Sequence, residues 1–409
     1  MSFWRGKRVL LTGHTGFKGA WAGRWLAGLG ARVTGIALPP EQGPSLFNLL
    51  GTGHFAASHM ADLRDPAITA DLVQATQPEI VLHLAAQPLV RLSYADPVLT
   101  FGSNVMGTVH LLDALSRHAR PAAVVVVTSD KVYENNGSGR AHVETDRLGG
   151  HDPYSASKAA TEIVVASFRQ AFFTEQQVPL VTARGGNVIG GGDFSADRLV
   201  PDLVRAVMAG RPLAIRNPQA TRPWQHVLDC LDGYFTYTEA LTLTTGLPEA
   251  LNFGPKRGAP AVSVAELANG LLRALGRDTA FRETADKGPH EMAVLAIDPT
   301  LAARTLGWHS RLPGAAALAL TARWYAGFMA GEDMARLTDE QIAQYQDIVV
   351  ERVQGERAPA APVAFLDPAG GQGPGLGDGA AGALRGHFVR RVGHAEQRGA
   401  QFAVAVQAG

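Results

Sequence analysis

Short apolar runs of strand length alternate with segments of helical periodicity over the first half of the chain. The runs occupy residues 8–13, 31–38, 56–63, 79–86, 122–130 and 179–184. Residues 124–127 are all valine, and residues 80–85 are almost continuously apolar, as in strands that are covered on both faces. This alternation predicts an α/β fold built on a doubly wound parallel sheet.

Between the predicted strands, apolar residues recur at helical spacing. Phe17, Trp21 and Trp25 mark one helix, which Gly30 is expected to end, and a second helix is predicted over residues 104–116. Later helices are predicted at 265–275, 299–306 and 314–327. We therefore expect a parallel-sheet domain over residues 1–184 and, over residues 185–357, mainly a smaller lobe with segments that return to the first domain.

From about residue 358 the composition changes to glycine, alanine and proline without a period. Such a segment buries too little apolar surface to offset the entropy of ordering, so residues 358–409 are predicted to be a disordered tail. Its bias also fits translation of a GC-rich gene in a shifted frame, a hypothesis that the intact mass of the native protein tests.

Composition restricts the class of protein. Lys plus Arg and Asp plus Glu both number 37, so the net charge of zero favours neither nucleic acid nor an anionic membrane. Cys230 is the single cysteine, which excludes an intrachain disulfide and a Cys-rich metal site. No apolar run approaches the roughly 20 residues of a membrane span, and the N-terminus lacks a secretory signal. We therefore expect a cytoplasmic protein without a metal.

Three glycines lie between the first predicted strand and the first predicted helix. Gly13, Gly16 and Gly19 follow Thr12 at a spacing of three residues. At this junction of a Rossmann-type fold, glycines permit a tight turn, close approach of a pyrophosphate to the backbone and close helix packing. The motif predicts dinucleotide binding, and the alternative is a turn that is merely tight.

The end of the second predicted strand does not decide between NAD and NADP. An NAD site usually has an acidic residue there, which accepts hydrogen bonds from the ribose. Here the strand ends in Ile36-Ala-Leu-Pro-Pro, with no acid before Glu41 and no arginine for a 2′-phosphate.

A tyrosine and a lysine occupy one face of a predicted helix. Tyr154 and Lys158 stand at i and i+4, so the lysine cation is expected to lower the pKa of the phenol, which could then deprotonate a substrate alcohol. Ser129 follows the valine strand, at the sheet edge where ligands bind in such folds. Alone, the Tyr-x-x-x-Lys pair would fit a surface pair equally well.

The ordered set of motifs resembles the extended short-chain dehydrogenase/reductase family of nucleotide-sugar enzymes. Over about residues 5–350, five longer runs narrow the resemblance to the 4,6-dehydratases of that family that act on CDP-glucose; they are residues 13–19, 85–94, 128–135, 187–193 and 222–227. The resemblance implies a Rossmann-type domain, a C-terminal lobe that binds the nucleotide sugar, a tightly held NAD and a homodimer.

The same resemblance assigns residues to ligands. Those implied to contact NAD, besides the glycines, Tyr154 and Lys158, are Thr15, Phe17, Asp62, Leu63, Leu84, Ala85, Ala86 and Asn104. Those implied to contact the nucleotide sugar are Arg91, Asn187, Arg198, Arg216 and Arg222. Asn187 and Arg222 match positions that hold the pyrophosphate, which suits a forked guanidinium.

Three alternatives to these assignments stay open. Arg222 could be a surface ion-pair partner, and Asp62 could cap the helix ahead of Pro66. Arg91, Arg198 and Arg216, with the neighbouring Asp197, could be structural.

Two titratable residues follow Ser129, and a dehydratase needs both. Beyond the exchange of hydride and one alcohol proton, it must remove a proton from C5 and protonate the leaving C6 hydroxyl. The resemblance implies that Asp130 is the acid at C6. Lys131, where the related dTDP-glucose enzymes carry Glu, could take the C5 proton only as a neutral amine.

Other functions remain as alternatives. An epimerase, or a dehydratase that uses another nucleotide, would have the same fold, because the residues that read the base are not apparent. A non-enzymatic NAD sensor could dispense with Ser129, Tyr154 and Lys158, which are all present.

Overall fold

A seven-stranded parallel sheet forms the centre of the computed structural model, which describes residues 2–135, 137–277, 281–284 and 294–356. The strands are β1 (Arg8–Thr12), β2 (Arg32–Ala37), β3 (Ala57–Met60), β4 (Ile80–His83), β5 (Ala123–Val127), β6 (Leu180–Gly185), β7 (Val188–Ile189), β8 (Ala214–Ile215), β9 (Thr221–Arg222), β10 (Gln225–His226), β11 (Ala250–Phe253), β12 (Val262–Ser263) and β13 (Arg282–Glu283). The central sheet has the order β11-β6-β5-β4-β1-β2-β3, and the other strands form two-stranded pairs.

Helices cover the sheet and build the second lobe. They are α1 (Phe17–Gly28), α2 (Leu46–Leu50), α3 (Pro66–Thr76), α4 (Val90–Ala95), α5 (Pro97–Phe101), α6 (Gly107–His118), α7 (Pro153–Phe168), α8 (Leu199–Met208), α9 (Val227–Leu243), α10 (Val264–Ala274), α11 (Thr300–Leu306), α12 (Gly314–Ala330) and α13 (Met334–Glu356). Single turns of wider or tighter helix occupy Gly102–Met106, Asp130–Val132 and Arg169–Phe173.

The two faces of the sheet belong to different clusters of core residues. Leu10, Val124 and Val126 pack in one cluster together with residues of α6 and α7. Their neighbours Val125 and Val127 lie in the other cluster, with residues of α1 and α9. The continuous apolar runs in the sequence therefore reflect strands that are buried on both sides.

The strand order reverses between β1 and β4, which lie side by side with Thr12 paired to His83. In open α/β sheets, ligands bind beyond the carboxyl ends of the strands at such a switch point. The glycine turn follows β1 and residues 84–86 follow β4, so the fold brings both segments to this edge.

The predicted fold class is confirmed, and all six predicted strands are present; the first five are shorter than predicted, and β6 is shifted by one residue. The seventh sheet strand, β11, was not predicted; it pairs with β6 and is the segment of the second half that joins the sheet. The boundary at residue 185 stays a prediction, and the predicted tail, residues 358–409, lies outside the described residues. Among the described residues, no helix is long and apolar enough to cross a membrane.

Candidate active site

The three glycines of the motif differ in what a Cβ atom would meet at each position. A Cβ on Gly13, whose φ is +74°, would lie 2.7 Å from the backbone nitrogen of Ala85, and one on Gly19 would lie 2.0 Å from the carbonyl oxygen of Gly13. Gly16 is exposed, and its Cβ would approach protein no closer than 3.4 Å. The open side of Gly16, at the uncapped N-terminus of α1, therefore fits a pyrophosphate.

Asn104 joins three segments around the proposed cofactor site. Its side chain accepts from the backbone nitrogen of Gln87 at 2.7 Å and donates to Ser157 at 2.8 Å. Its carbonyl accepts from Thr161. Asn104 is 2% exposed and lies in the single π-helical turn before α6. It thus ties the loop after β4 to α7, the helix that carries Tyr154 and Lys158.

Ser129 and Asp130 lie buried directly beyond the end of β5. The Ser129 hydroxyl donates to Asp130 Oδ1 at 2.9 Å, whereas Asp130 Oδ2 is buried without a hydrogen-bond partner. Burial raises the pKa of Asp130, and this rise is opposed by the charge of Lys131, the Ser129 hydrogen bond and the charges of Arg222 and Lys18. The surroundings favour a protonated carboxyl, the form that a general acid needs.

Tyr154 lies beside this pair, but its pKa differs from the expectation. Burial raises the pKa of the phenol, and a hydrogen bond with Ser129 and the charge of Arg198 oppose the rise. The net shift is therefore opposite in direction to the lowering predicted from Lys158. The Lys158 ammonium instead donates to the carbonyl of Val127 at 3.2 Å, and burial, with the charge of Lys18, lowers its own pKa to about 7.

Lys131 is partly exposed, and its ammonium lies over the ring of the same tyrosine. Its ammonium lies 5.9 Å from the centroid of the Tyr154 ring. The structure thus brings all five predicted catalytic residues to one edge of the sheet.

The predicted pyrophosphate residues differ in their surroundings. Arg222 is 8% exposed and donates to the carbonyl of Thr221, and its charge acts on Asp130. Arg222 is thus buried in the structure, and its assignment to the pyrophosphate stays a prediction. Asn187 is half-buried, and its carbonyl accepts from Gln225. Arg198 lies 3.4 Å from Asp193, and its charge acts on Tyr154.

Arg91 and Arg216 converge on one carboxylate. Asp197 lies 3.3 Å from Arg91 and 3.9 Å from Arg216, and its φ of +58° is in the left-handed region. Arg91 lies in α4 and Arg216 directly follows β8. This pairing brings segments distant in sequence together and leaves both the structural and the substrate-binding interpretation open.

The remaining cofactor residues line the edge formed by β1 to β4. Thr15 donates to the carbonyl of Leu38 at 2.9 Å, and the backbone nitrogen of Ala85 donates to Thr12. Asp62 pairs with Arg64 and accepts from its backbone nitrogen. The cap of the helix at Pro66 is Asp65, so the capping alternative for Asp62 is wrong.

Lys18 was missed as a candidate, although it stands inside the glycine motif. Its ammonium lies 5.8 Å from the ring centroid of Tyr234, and its charge acts on Asp130 and Lys158. The available signal was a cation in the first turn of α1, next to Gly19.

His83 is a satisfied core histidine, as predicted. Its two ring nitrogens are hydrogen-bonded to Thr12 at 2.7 Å and Thr108 at 3.0 Å. In the described ranges, no group of three or more His, Cys, Asp or Glu residues could hold a metal ion.

Comparison with known proteins places this site in a family. The model of the NAD dependent epimerase/dehydratase family matches residues 9–252. The chain belongs to this family. The resemblance inferred from the motifs is thereby confirmed, and so is NAD as the cofactor, which the residues at the end of β2 had left open.

Two curated relatives in this family are 4,6-dehydratases. The chain is 41% identical to a CDP-glucose 4,6-dehydratase of Salmonella typhimurium over 84% of its own length and 97% of the relative's. It is 28% identical to a dTDP-glucose 4,6-dehydratase of Xanthomonas campestris, over 77% and 92% of the two lengths.

Solved structures of the NAD dependent epimerase/dehydratase family share the fold. An epimerase from Methanothermobacter thermautotrophicus has a TM-score of 0.71 at 22% identity, over 80% of this chain and 94% of that one. A UDP-glucose 4-epimerase from Stenotrophomonas maltophila, solved with NAD, has a TM-score of 0.69 at 24% identity, over 80% and 99%.

Proposed function

We propose that the protein is a lyase that converts CDP-D-glucose to CDP-4-dehydro-6-deoxy-D-glucose and water. The observation that carries the proposal is Asp130, a buried carboxyl whose pKa is raised beside Ser129 and Tyr154. An epimerase has no step for such an acid. The 41% identity to a CDP-glucose 4,6-dehydratase over nearly its whole length supports the same reaction.

NAD fits the cradle at Gly13, Gly16 and Gly19. Bound NAD would supply hydride transfer, by acceptance from C4 of the sugar and return to C6, so no external reductant would be consumed. We assign the glycines and Asn104, together with Lys158, to holding and orienting it. Its positive ring would favour the phenolate of Tyr154, which burial alone disfavours.

The protein's own residues move the protons. Tyr154 removes the proton of the C4 hydroxyl, and Ser129 donates a hydrogen bond to the same oxygen. The resulting ketone acidifies the C5 hydrogen. Asp130 then protonates the departing C6 hydroxyl, which leaves as water.

Lys131 is our candidate for the group that takes the C5 proton. Its ammonium lies over the Tyr154 ring, so each end of the elimination would have a titratable group nearby. The role requires the neutral amine at the moment of transfer.

Arg222 and Asn187 are assigned to the substrate pyrophosphate, with Arg91, Arg198 and Arg216 as further contacts. A buried guanidinium such as Arg222 is preorganised for a dianionic group. CDP is favoured over other nucleotides by the similarity to the Salmonella enzyme.

Incubation with CDP-, dTDP-, UDP- and GDP-glucose in separate reactions, first without and then with added NAD, tests the proposal. Mass spectrometry should find the loss of one water from CDP-glucose alone. Loss of water from another nucleotide sugar would keep the assignment as a 4,6-dehydratase and change the nucleobase of its substrate. If no nucleotide sugar loses water even with added NAD, the proposal of a 4-epimerase replaces that of a dehydratase.

A homodimer in the cytoplasm is the proposed setting. Helices α4, α5 and α7 and the turn before α6 carry exposed large apolar side chains, namely Leu92, Tyr94, Val98, Phe101, Met106 and Ile163. Helix α5 packs against α7, so much of this set lies on adjacent helices. A second copy of the chain would cover it, as dimers of such enzymes commonly use helices of the Rossmann lobe.

A further inference from the structure

A buried ion pair lies behind the candidate active site. Glu162 of α7 and Arg184 of β6 are joined by two hydrogen bonds, from Nε to Oε1 at 2.9 Å and from Nη2 to Oε2 at 2.8 Å. The two side chains are 4% and 5% exposed. Glu162 stands one turn beyond Lys158 and two turns beyond Tyr154, so it lies on the face of α7 that carries both.

Two residues that flank the segment Ser129–Lys131 bond to this ion pair. Thr128, immediately before Ser129, donates its hydroxyl to Glu162 Oε1. Tyr133, two residues after Lys131, accepts from Arg184 Nη1 at 2.9 Å and donates to Asn252 of β11 at 2.6 Å. We call Glu162, Arg184, Thr128 and Tyr133 the clamp.

Stability alone is a poor reason for such an arrangement. Taking two charges out of water costs several kcal/mol per ion, and apolar residues of similar volume often replace a buried pair without loss. The best-attested use of a buried ion pair is to fix one geometry. Here every oxygen of Glu162 is used, because Thr182 donates to Oε2 at 2.8 Å.

We propose that the clamp is a positioning device that holds Ser129 and Asp130 in register with Tyr154. One carboxylate on α7 fixes the strand end that precedes Ser129, and its arginine partner fixes the loop that follows Lys131. The distance between the acid and the base of the reaction is thereby set by buried hydrogen bonds. The inference rests on the proposed function, because it presumes the roles of those three residues.

The two threonines of the network offer a matched pair of variants. Thr128 and Thr182 are 5% and 1% exposed, and each gives one hydroxyl to Glu162. Only Thr128 adjoins the catalytic segment, whereas Thr182 lies within β6. Valine replaces either hydroxyl by a methyl group of similar size.

Steady-state kinetics with CDP-glucose and thermal unfolding would be measured for Thr128→Val, Thr128→Ser and Thr182→Val. Misplacement of reacting groups by a fraction of an ångström lowers rates by about ten- to a hundredfold. Thr128→Val should therefore lose kcat in this range at unchanged KM. Thr128→Ser should recover it, and Thr182→Val should keep kcat within about twofold at a similar unfolding temperature.

Equal kcat values for the two valine variants would overturn the clamp. If Thr128→Val does not fold, Tyr133→Phe is the test instead, because it removes the other hydroxyl of the clamp. A kcat of Tyr133→Phe equal to that of the unaltered protein would also overturn the clamp. Failure of the proposed function is distinct, since the unaltered protein would then release no water from CDP-glucose.

Discussion

Asp130 and Tyr154 share one buried environment but need opposite protonation states. Burial disfavours charge, which raises the pKa of the Asp130 carboxyl and favours the protonated form that a general acid needs. The same burial raises the pKa of Tyr154, which must lose its proton to act as a base. Tyr154 therefore depends on Ser129, Arg198 and the positive charge of the cofactor to lower its pKa. For Asp130, burial itself favours the form that is needed.

Replacement of Tyr154 by phenylalanine should abolish the 4-keto product, since the C4 hydroxyl then has no base. We expect kcat to fall by at least about a hundredfold. The ring stays in place, so thermal unfolding should change little. The product is measured by mass spectrometry, and its formation at the normal rate would remove Tyr154 as the base.

Replacement of Asp130 by asparagine should separate oxidation from elimination. Tyr154 is intact in this variant, so bound NAD should still become reduced on addition of CDP-glucose, while loss of water stalls. Absorbance of reduced nicotinamide and mass spectrometry give the two readouts. Asp113→Asn on α6, at a carboxyl that is 46% exposed, is the matched control. Normal turnover in Asp130→Asn would contradict the assignment as acid.

Helix α1 depends on glycine at some positions and tolerates alanine at others. A Cβ at Gly19 would lie 2.0 Å from a carbonyl oxygen, so Gly19→Ala should lower the free energy of unfolding by about 3 kcal/mol or more. Gly28 has nothing within 4 Å of its Cβ. Gly28→Ala should therefore raise the free energy of unfolding by about 0.5 kcal/mol. Urea unfolding measures both.

A substitution at Gly16 should affect NAD binding without affecting folding. Its Cβ would meet only ordinary contacts, so Gly16→Ala should unfold at the temperature of the unaltered protein. If this glycine admits the pyrophosphate, the variant should bind NAD more weakly, as titration calorimetry would measure, with Gly28→Ala as the control. Equal affinities for NAD would show that the motif is only a tight turn.

Local pattern predicted strands such as β4 and β5 because each is a fully buried, mostly apolar run between segments of helical periodicity. Strand β11 lacked this signal, since it has four residues and owes its place to pairing with β6. The clamp could not be predicted for a related reason. Thr128 and Tyr133 lie more than 20 residues in sequence from Glu162 and Arg184, which are themselves more than 20 residues apart, and only the fold brings the four together. Glu162 alone had a local signal, its helical spacing from Tyr154 and Lys158.

Assembly of two chains should depend on the apolar face of α5 and α7. Val98 and Ile163 are 82% and 62% exposed, and two glutamates there would place charges in a buried interface. Sedimentation should find a dimer for the unaltered protein and a monomer for the Val98→Glu, Ile163→Glu variant. Leu243→Glu, on α9 at a residue that is 77% exposed, should stay dimeric. A dimer in all three cases would place the interface elsewhere.

The pH dependence of folding should reflect a pair of acids in α9 that joins distant parts of the chain. Asp229 accepts hydrogen bonds from Ser310 and from Tyr345 of α13. Burial, with repulsion by Asp229, raises the pKa of Asp232 from 3.8 to about 7, against the opposing effect of Arg311. The folded state therefore holds this proton more tightly than the unfolded chain, and the stability it contributes is lost as the pH rises from about 4 through 7.

Asp232→Asn cannot ionise and should escape this loss. The difference in free energy of unfolding between the variant and the unaltered protein should favour the variant by about 2 kcal/mol more at pH 8 than at pH 5. Urea unfolding at the two pH values measures it, with Asp113→Asn as the control. The comparison between variants removes the contribution of the titrating groups that do not interact with Asp232. An equal difference at both pH values would mean that Asp232 ionises in the folded protein as it does in water.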